Sequence, residues 1–275
     1  MMKHAIAAAI VPILVAFHPG VCAEESEHVR LSKSSDEYQS SFDSAVKKLL
    51  SEGFADGLQS PSLGAITSAE GQERLSRILA EKPIEGIATG TTGILYDVIL
   101  QPGHYLRRTG ATGTSGKLVS ERALVAYITA RIASGLRASG LNVLVISADD
   151  FLKASPGLQS KIFLAVHADG STPPCTPGSG PSLAYEAKSS PYAMHAIGWG
   201  LSQALGYNYS DFRRDNYTPN EAKYYTFGYV KTQYMKGLLE VGELTCPKME
   251  ELLINSADAI GSNVARGIQF VIGKN

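Results

Sequence analysis

Apolar strands alternating with amphipathic helices predict an α/β fold. The expected form is a three-layer sandwich, with a mostly parallel central sheet flanked by helices and a small helical N-terminal segment in front. Two observations carry most of the prediction. Short apolar runs at 94–100 and 161–167 read as buried strands, and the helix pattern between them places Leu124, Ile128, Ile132 and Leu136 on one face. A second pattern, Met194, Ile197, Leu201 and Leu205, repeats that alternation further along the chain.

Each element has local support. Ser120 is a natural N-cap for the first of these helices and Gly140 a natural stop. The second begins at Ser190-Pro191, with proline at the first helical position, and stops at Gly206. Further strands are expected at 142–147 and 237–241, and a last helix from Pro247. Ahead of this domain, Phe42, Val46, Leu49, Leu50 and Phe54 fall at helical spacing. Thr67-Ser68-Ala69-Glu70 resembles a capping box before Leu75, Ile78 and Leu79. Neither N-terminal helix has enough apolar surface to stand alone, so the pair either packs on the main domain or forms a mobile leader.

The chain has 275 residues, 44% of them hydrophobic, enough for one large core, and with a net charge of -1 nothing suggests a nucleic-acid footprint. Lys3 and His4, an apolar run at 5–17 and the small residues Val21-Cys22-Ala23 read as a secretory signal peptide cut after Ala23. The rival reading, a lipidated Cys22, follows a poor lipoprotein signal in Pro19-Gly20-Val21. The apolar run is too short for a comfortable membrane span. The expected organisation is therefore a signal peptide at 1–23, a polar helical segment at 24–93 and a catalytic domain at 94–275, placed in the periplasm or outside the cell. Two cysteines would remain, Cys175 and Cys246. In an oxidising compartment they either pair, stapling two loops at one rim of the sheet, or stay as free thiols.

Four groups fall at informative positions. The strand at 94–100 runs into Gln101-Pro102-Gly103-His104, and the strand at 161–167 ends in His167. Glu121 sits on the first turn of a helix, where the dipole favours an ionised carboxylate. Glu240 closes a very apolar strand, where a carboxylate needs a partner or a cation. Two imidazoles and a carboxylate suit zinc with an open fourth position, and a nearby carboxylate off the metal suits a general base. Read one at a time, the same residues are also ordinary: hydrogen-bonded structural histidines, a helix-start acid and a satisfied core carboxylate. His195, on an apolar helix face, and His28, in the polar leader, add nothing to the set.

Taken in order, Gln101-Pro102-Gly103-His104, Ser120-Glu121-Arg122, Ala165-Val166-His167-Ala168-Asp169 and Leu238-Leu239-Glu240-Val241-Gly242 resemble the zinc-dependent N-acetylmuramoyl-L-alanine amidases, catalytic domain of the type-3 class. The resemblance spans 94–272. It implies that His104, Glu121 and His167 bind one zinc ion and that Glu240 is the catalytic carboxylate. It also implies cleavage of the amide between N-acetylmuramic acid and L-alanine in peptidoglycan or muropeptides. Four departures stand out: Gln101 in place of an acidic residue, Tyr105-Leu106 in place of glycines, Glu243 in place of an apolar residue, and a shortened segment at 155–159.

The region 206–236 is dense in tyrosine and carries Arg213 and Arg214. It is read as a substrate wall, with Arg213, Arg214 and Tyr217 as binding residues, or else as a surface loop pinned by its aromatics. No motif names an activator protein. The competing functions are another zinc amidohydrolase, or deacylase, acting on small N-acyl amino acids or peptides, and a catalytically silent wall-binding relative. Neither an HExxH signature nor a closely spaced His-x-x-Glu pair is present.

Overall fold

The structure, a computed structural model, describes residues 36–62, 64–80, 82, 84, 93–107, 110–148, 157–219 and 224–273. The expected signal peptide, His28 and Ser155-Pro156 lie outside the described residues. Six strands form one sheet in the order β2-β1-β3-β6-β4-β5. These are β1 (Leu95–Pro102), β2 (Val143–Val145), β3 (Leu158–Asp169), β4 (Ser182–Tyr185), β5 (Tyr217–Pro219) and β6 (Val230–Glu243). All neighbours run parallel except β4 against β6. The chain leaves β1 for β2 on one side and returns to β3 on the other. The crevice at the carboxyl ends of β1 and β3 is therefore a topological switch point, where open α/β sheets place their ligands.

Among the described residues the sheet is accompanied by α1 (Asp36–Ser51), α2 (Ala69–Leu79), α3 (Glu121–Ala138), α4 (Pro191–Leu205), α5 (Tyr209–Asp215) and α6 (Pro247–Ile272). Alternation along the strands divides the apolar residues between two faces. Val98, Leu100, Ile162, Leu164, Val166, Leu239 and Val241 join the large core built with α3, α4 and α6. Ile99, Leu144, Phe163, Ala165 and Leu238 face the other way, where the 3-10 turn Tyr225–Gly228, with Tyr224 and Tyr229, covers them. The predicted α/β sandwich with a mostly parallel sheet is the fold observed.

Several local expectations hold and some shift. Ser120 caps α3 by accepting from the Ala123 N–H at 3.2 Å, and α4 ends at Gly206 in the left-handed conformation. At α2 the cap is Ser68, which accepts from the Gly71 N–H, so the reciprocal glutamate of a capping box is missing. Leu49, Phe54, Ile66, Ile78 and Ile84 enter the large core, so α1 and α2 pack on the main domain. Leu50 and Leu79, assigned to the same apolar faces by spacing, are exposed. Strands β4 and β5 and helix α5 were not predicted, because four, three and seven residues carry too little periodicity.

Candidate metal centre

Three of the four expected groups meet at the carboxyl end of the sheet. Ligand atoms of His104, Glu121 and His167 all lie within 4.8 Å of one another. Glu121 Oε1 is 3.0 Å from His167 Nδ1 and 3.4 Å from His104 Nε2. A tetrahedral zinc with ligands at about 2.0–2.1 Å needs ligand atoms about 3.3 Å apart, so these two spacings suit one ion. Glu240 stands beside them, since β3 and β6 pair His167 directly with Glu240 on one face.

The proton positions also favour a cation. The Ala111 carbonyl can only accept, so the His104 Nδ1–H donates to it at 2.9 Å. Nε2 is then the nitrogen facing Glu121, an N–H donor to the carboxylate while the ring is charged and the lone pair a cation would take in place of that proton. Glu121 is itself fixed, with the Thr114 N–H donating to Oε2 at 2.9 Å and the Ala168 N–H to Oε1 at 3.2 Å. Burial works against charge on Glu121, but hydrogen bonds from His104 and His167 outweigh it and hold the carboxyl well below its usual value. At His104 burial again opposes charge, and the hydrogen bond and charge of Glu121 more than compensate, raising the imidazole above its ordinary 6.5. Glu240 behaves oppositely. Burial, then the charges of Glu121 and Asp169, push its carboxyl well above the usual range. Its Oε2 is buried without a hydrogen-bond partner among the described residues. A buried carboxylate left in that state requires a proton or a cation close by.

Backbone shape makes room for the cluster. Gly103 packs against the His167 ring, and a Cβ there would lie 2.5 Å from Nδ1. Gly113, at φ +87°, would place a Cβ 2.7 Å from Glu121 Oε2 and 3.0 Å from His104 Cδ2. His104 itself adopts a left-handed conformation at φ 56°, a strained setting of the kind found at functional sites. Arg107 ties the surrounding loops. Its Nη1 donates to the Ala111 carbonyl at 3.2 Å, its Nε donates to the Ala148 carbonyl at 3.3 Å, and its guanidinium lies over the Tyr225 ring. Glu250, at the start of α6, accepts from the N–H groups of Lys117, Leu118 and Val119 and so holds the loop between Gly113 and α3.

The fold is similar to that of solved amidase structures. An N-acetylmuramoyl-L-alanine amidase from Clostridium difficile 630 is 18% identical, with a TM-score of 0.50, covering 66% of this chain and 98% of its own. The catalytic domain of CwlV, an N-acetylmuramoyl-L-alanine amidase from Bacillus (Paenibacillus) polymyxa var. colistinus, is 20% identical, with a TM-score of 0.50, covering 65% and 98%. The chain has the fold of these amidases. No family model and no curated protein matches the sequence.

Of the residues expected to bind substrate, Arg213 and Tyr217 do not reach this centre. Tyr217 is 2% exposed, and its hydroxyl donates to the Met194 carbonyl in α4. It belongs to the core, which corrects its assignment as a substrate contact. Arg213 Nη1 bonds Asp43 of α1 at 2.7 Å, an ion pair between α5 and α1 rather than part of this centre. The Arg214 side chain lies outside the described residues. Tyr209 is likewise buried, stacked on Trp199. Of the tyrosine-rich region, Tyr224 and Tyr225 are the ones that reach the centre, and they do so as its supports. Cys175 and Cys246 are joined in a disulfide across a sequence separation of 71. Glu243 anchors that loop, accepting from the Cys175 N–H at 2.6 Å and from the hydroxyls of Ser171 and Thr245. This gives the departure at 243 a structural reason.

Proposed function

We propose that the chain is a zinc-dependent N-acetylmuramoyl-L-alanine amidase that hydrolyses the amide between N-acetylmuramic acid and L-alanine in peptidoglycan. The supporting observation is the convergence of His104, Glu121 and His167 beside the Glu240 carboxylate, whose Oε2 has no hydrogen-bond partner among the described residues, on the amidase fold and at its switch point. In this reading the first three residues hold one zinc ion. An ion bound there supplies Lewis-acid polarisation of the scissile carbonyl and of the attacking water, and its charge offsets that of Glu121.

The remaining steps belong to the protein. Glu240 takes the proton from the water as its oxygen attacks the amide carbon, then delivers it to the departing nitrogen of L-alanine. General acid–base help of this kind contributes roughly a hundred- to ten-thousandfold. Glu121 stays ionised, because His104 and His167 stabilise its charge, while the surroundings of Glu240 raise its affinity for a proton; a cation held beside it would keep it ionised until the water gives that proton up. The two carboxylates thus divide the work by environment.

A location outside the cytoplasm accords with the Cys175–Cys246 disulfide, since such bonds persist in oxidising compartments. Among the described residues no helix is long and apolar enough to cross a membrane. Metal analysis together with a peptidoglycan digest tests the reading. It expects one zinc per chain and release of stem peptides with a new L-alanine amino terminus. A chain without stoichiometric zinc would be a silent wall-binding module. Cleavage confined to small N-acyl amino acids would make it a different amidohydrolase.

A further inference from the structure

His167 carries a support that its sequence neighbourhood does not announce. Its Nε2 lies 3.2 Å from the Tyr224 hydroxyl, which donates to Gln101 Oε1 at 2.5 Å. Thr226 donates its hydroxyl to the same oxygen at 2.8 Å, and Gln101 Nε2 donates to the Ser147 carbonyl at 3.0 Å. Gln101 is fully buried, on the sheet face that Tyr224 and Phe227 cover. Its register partner on β3 is Ala165, two residues before His167 and on the same face.

The direction of every proton in this chain is determined. The Ser147 carbonyl only accepts, so the amide must present its nitrogen there and its oxygen to the two hydroxyls; a flipped amide would set oxygen against oxygen. Gln101 Oε1 also only accepts, so the single Tyr224 proton points at it. The Tyr224 oxygen is then left as the acceptor for His167, whose Nε2 must carry the hydrogen. With Nε2 so engaged, Nδ1, which bonds Glu121 Oε1 at 3.0 Å, is the nitrogen that would give up its proton to a bound cation.

We propose that Gln101 and Tyr224 form a positioning relay that fixes the His167 tautomer and ring angle, so that Nδ1 is ready for the metal. The inference rests on the zinc reading above. It assigns the 3-10 turn at Tyr225–Gly228, with Tyr224 before it, a part in metal affinity as well as in covering the sheet. A neutral amide serves here because its two ends are chemically distinct: one end accepts from both hydroxyls while the other is held by a carbonyl. Neither residue is a ligand, and Gln101 acts only through Tyr224.

The test is zinc affinity of the full chain by chelator competition, for wild type, Tyr224→Phe, Gln101→Leu and the double variant. Removing an outer partner of a metal-bound histidine typically costs roughly ten- to a hundredfold in affinity, and that loss is expected for Tyr224→Phe. The Gln101→Leu substitution should weaken zinc binding as well, and the double variant should be no weaker than Tyr224→Phe, because both changes break one chain. In zinc-loaded wild type the His167 Nε2–H should exchange slowly by NMR, and in Tyr224→Phe rapidly. Thermal melts in chelator separate these effects from simple loss of folding. A Tyr224→Phe protein that binds zinc within about threefold of wild type overturns the relay, as does full additivity of the two substitutions. Wild type that binds zinc but releases no stem peptide overturns the amidase reading and leaves the relay standing.

Discussion

Gly103→Ala is the sharpest perturbation of the centre that leaves every ligand in the sequence. The new Cβ would sit 2.5 Å from His167 Nδ1, 2.6 Å from Cε1 and 2.8 Å from Cγ. Ordinary contacts are about 3.5 Å, so the ring must retreat by about 1 Å. The backbone resists sharing the shift, because the Gly103 N–H donates to the Val166 carbonyl at 2.8 Å and Pro102 is held in register with Val166. Gly103 does not occupy the left-handed region, so alanine adds no backbone strain and the disturbance falls on the imidazole. A displacement of about 1 Å is large against a zinc–nitrogen distance of about 2.0–2.1 Å. Zinc affinity should fall by about a hundredfold or more, close to 3 kcal/mol. Stability in chelator should fall by only about 1–2 kcal/mol. Chelator competition and urea unfolding in EDTA measure the two quantities separately. A folded Gly103→Ala protein that keeps zinc within about threefold of wild type refutes the proposed role of His167 Nδ1.

Three further outcomes are expected. Glu250→Ala leaves the N–H groups of Lys117, Leu118 and Val119 without their carboxylate and should cost about 3 kcal/mol in urea unfolding; a loss below about 1 kcal/mol contradicts the pinning role. Replacing Cys175 and Cys246 by serine should remove about 4 kcal/mol, the loop-closure value for a separation of 71, read as a lower urea midpoint that reductant no longer changes. His195 is held down to about 3, by burial first and the Arg213 charge second, against the opposing pull of Asp43. It is neutral when folded but takes a proton on unfolding below about 6.5, so stability should fall as pH drops from 6.5 toward 3, by about 1.4 kcal/mol per unit in mid-range. His195→Gln should flatten that acid limb, and superimposable profiles would exclude His195 as its source.

Much of this was legible in the sequence because the relevant signals are local. Strand ends, a serine cap and helix periodicity placed His104, Glu121, His167 and Glu240 at the ends of their elements, and the parallel register then brought His167 beside Glu240. What stayed hidden depends on contacts between segments distant in sequence. Gln101 looked like a loss of charge next to the metal, whereas its partners Tyr224 and Thr226 lie more than a hundred residues away. Tyr217 and Arg213 looked like binding residues because aromatic and guanidinium groups are the same in a cleft or a core. Only the packing of α4, α5 and β5 shows that Tyr217 is interior. Gly113 lies in a stretch rich in glycine and threonine, and its role becomes visible once Glu121 and His104 close on it.

The central claim is that this His-Glu-His centre and Glu240 together cleave a muramoyl–alanine amide. Its most direct measurement is mass spectrometry of purified peptidoglycan after digestion by zinc-loaded wild type and by Glu240→Gln, with metal content determined on the same samples. The account predicts free stem peptides beginning with L-alanine, and glycan bearing an unsubstituted lactyl carboxylate, from wild type alone, while both proteins carry one zinc. Equal release by Glu240→Gln, or no release by fully zinc-loaded wild type, would contradict it.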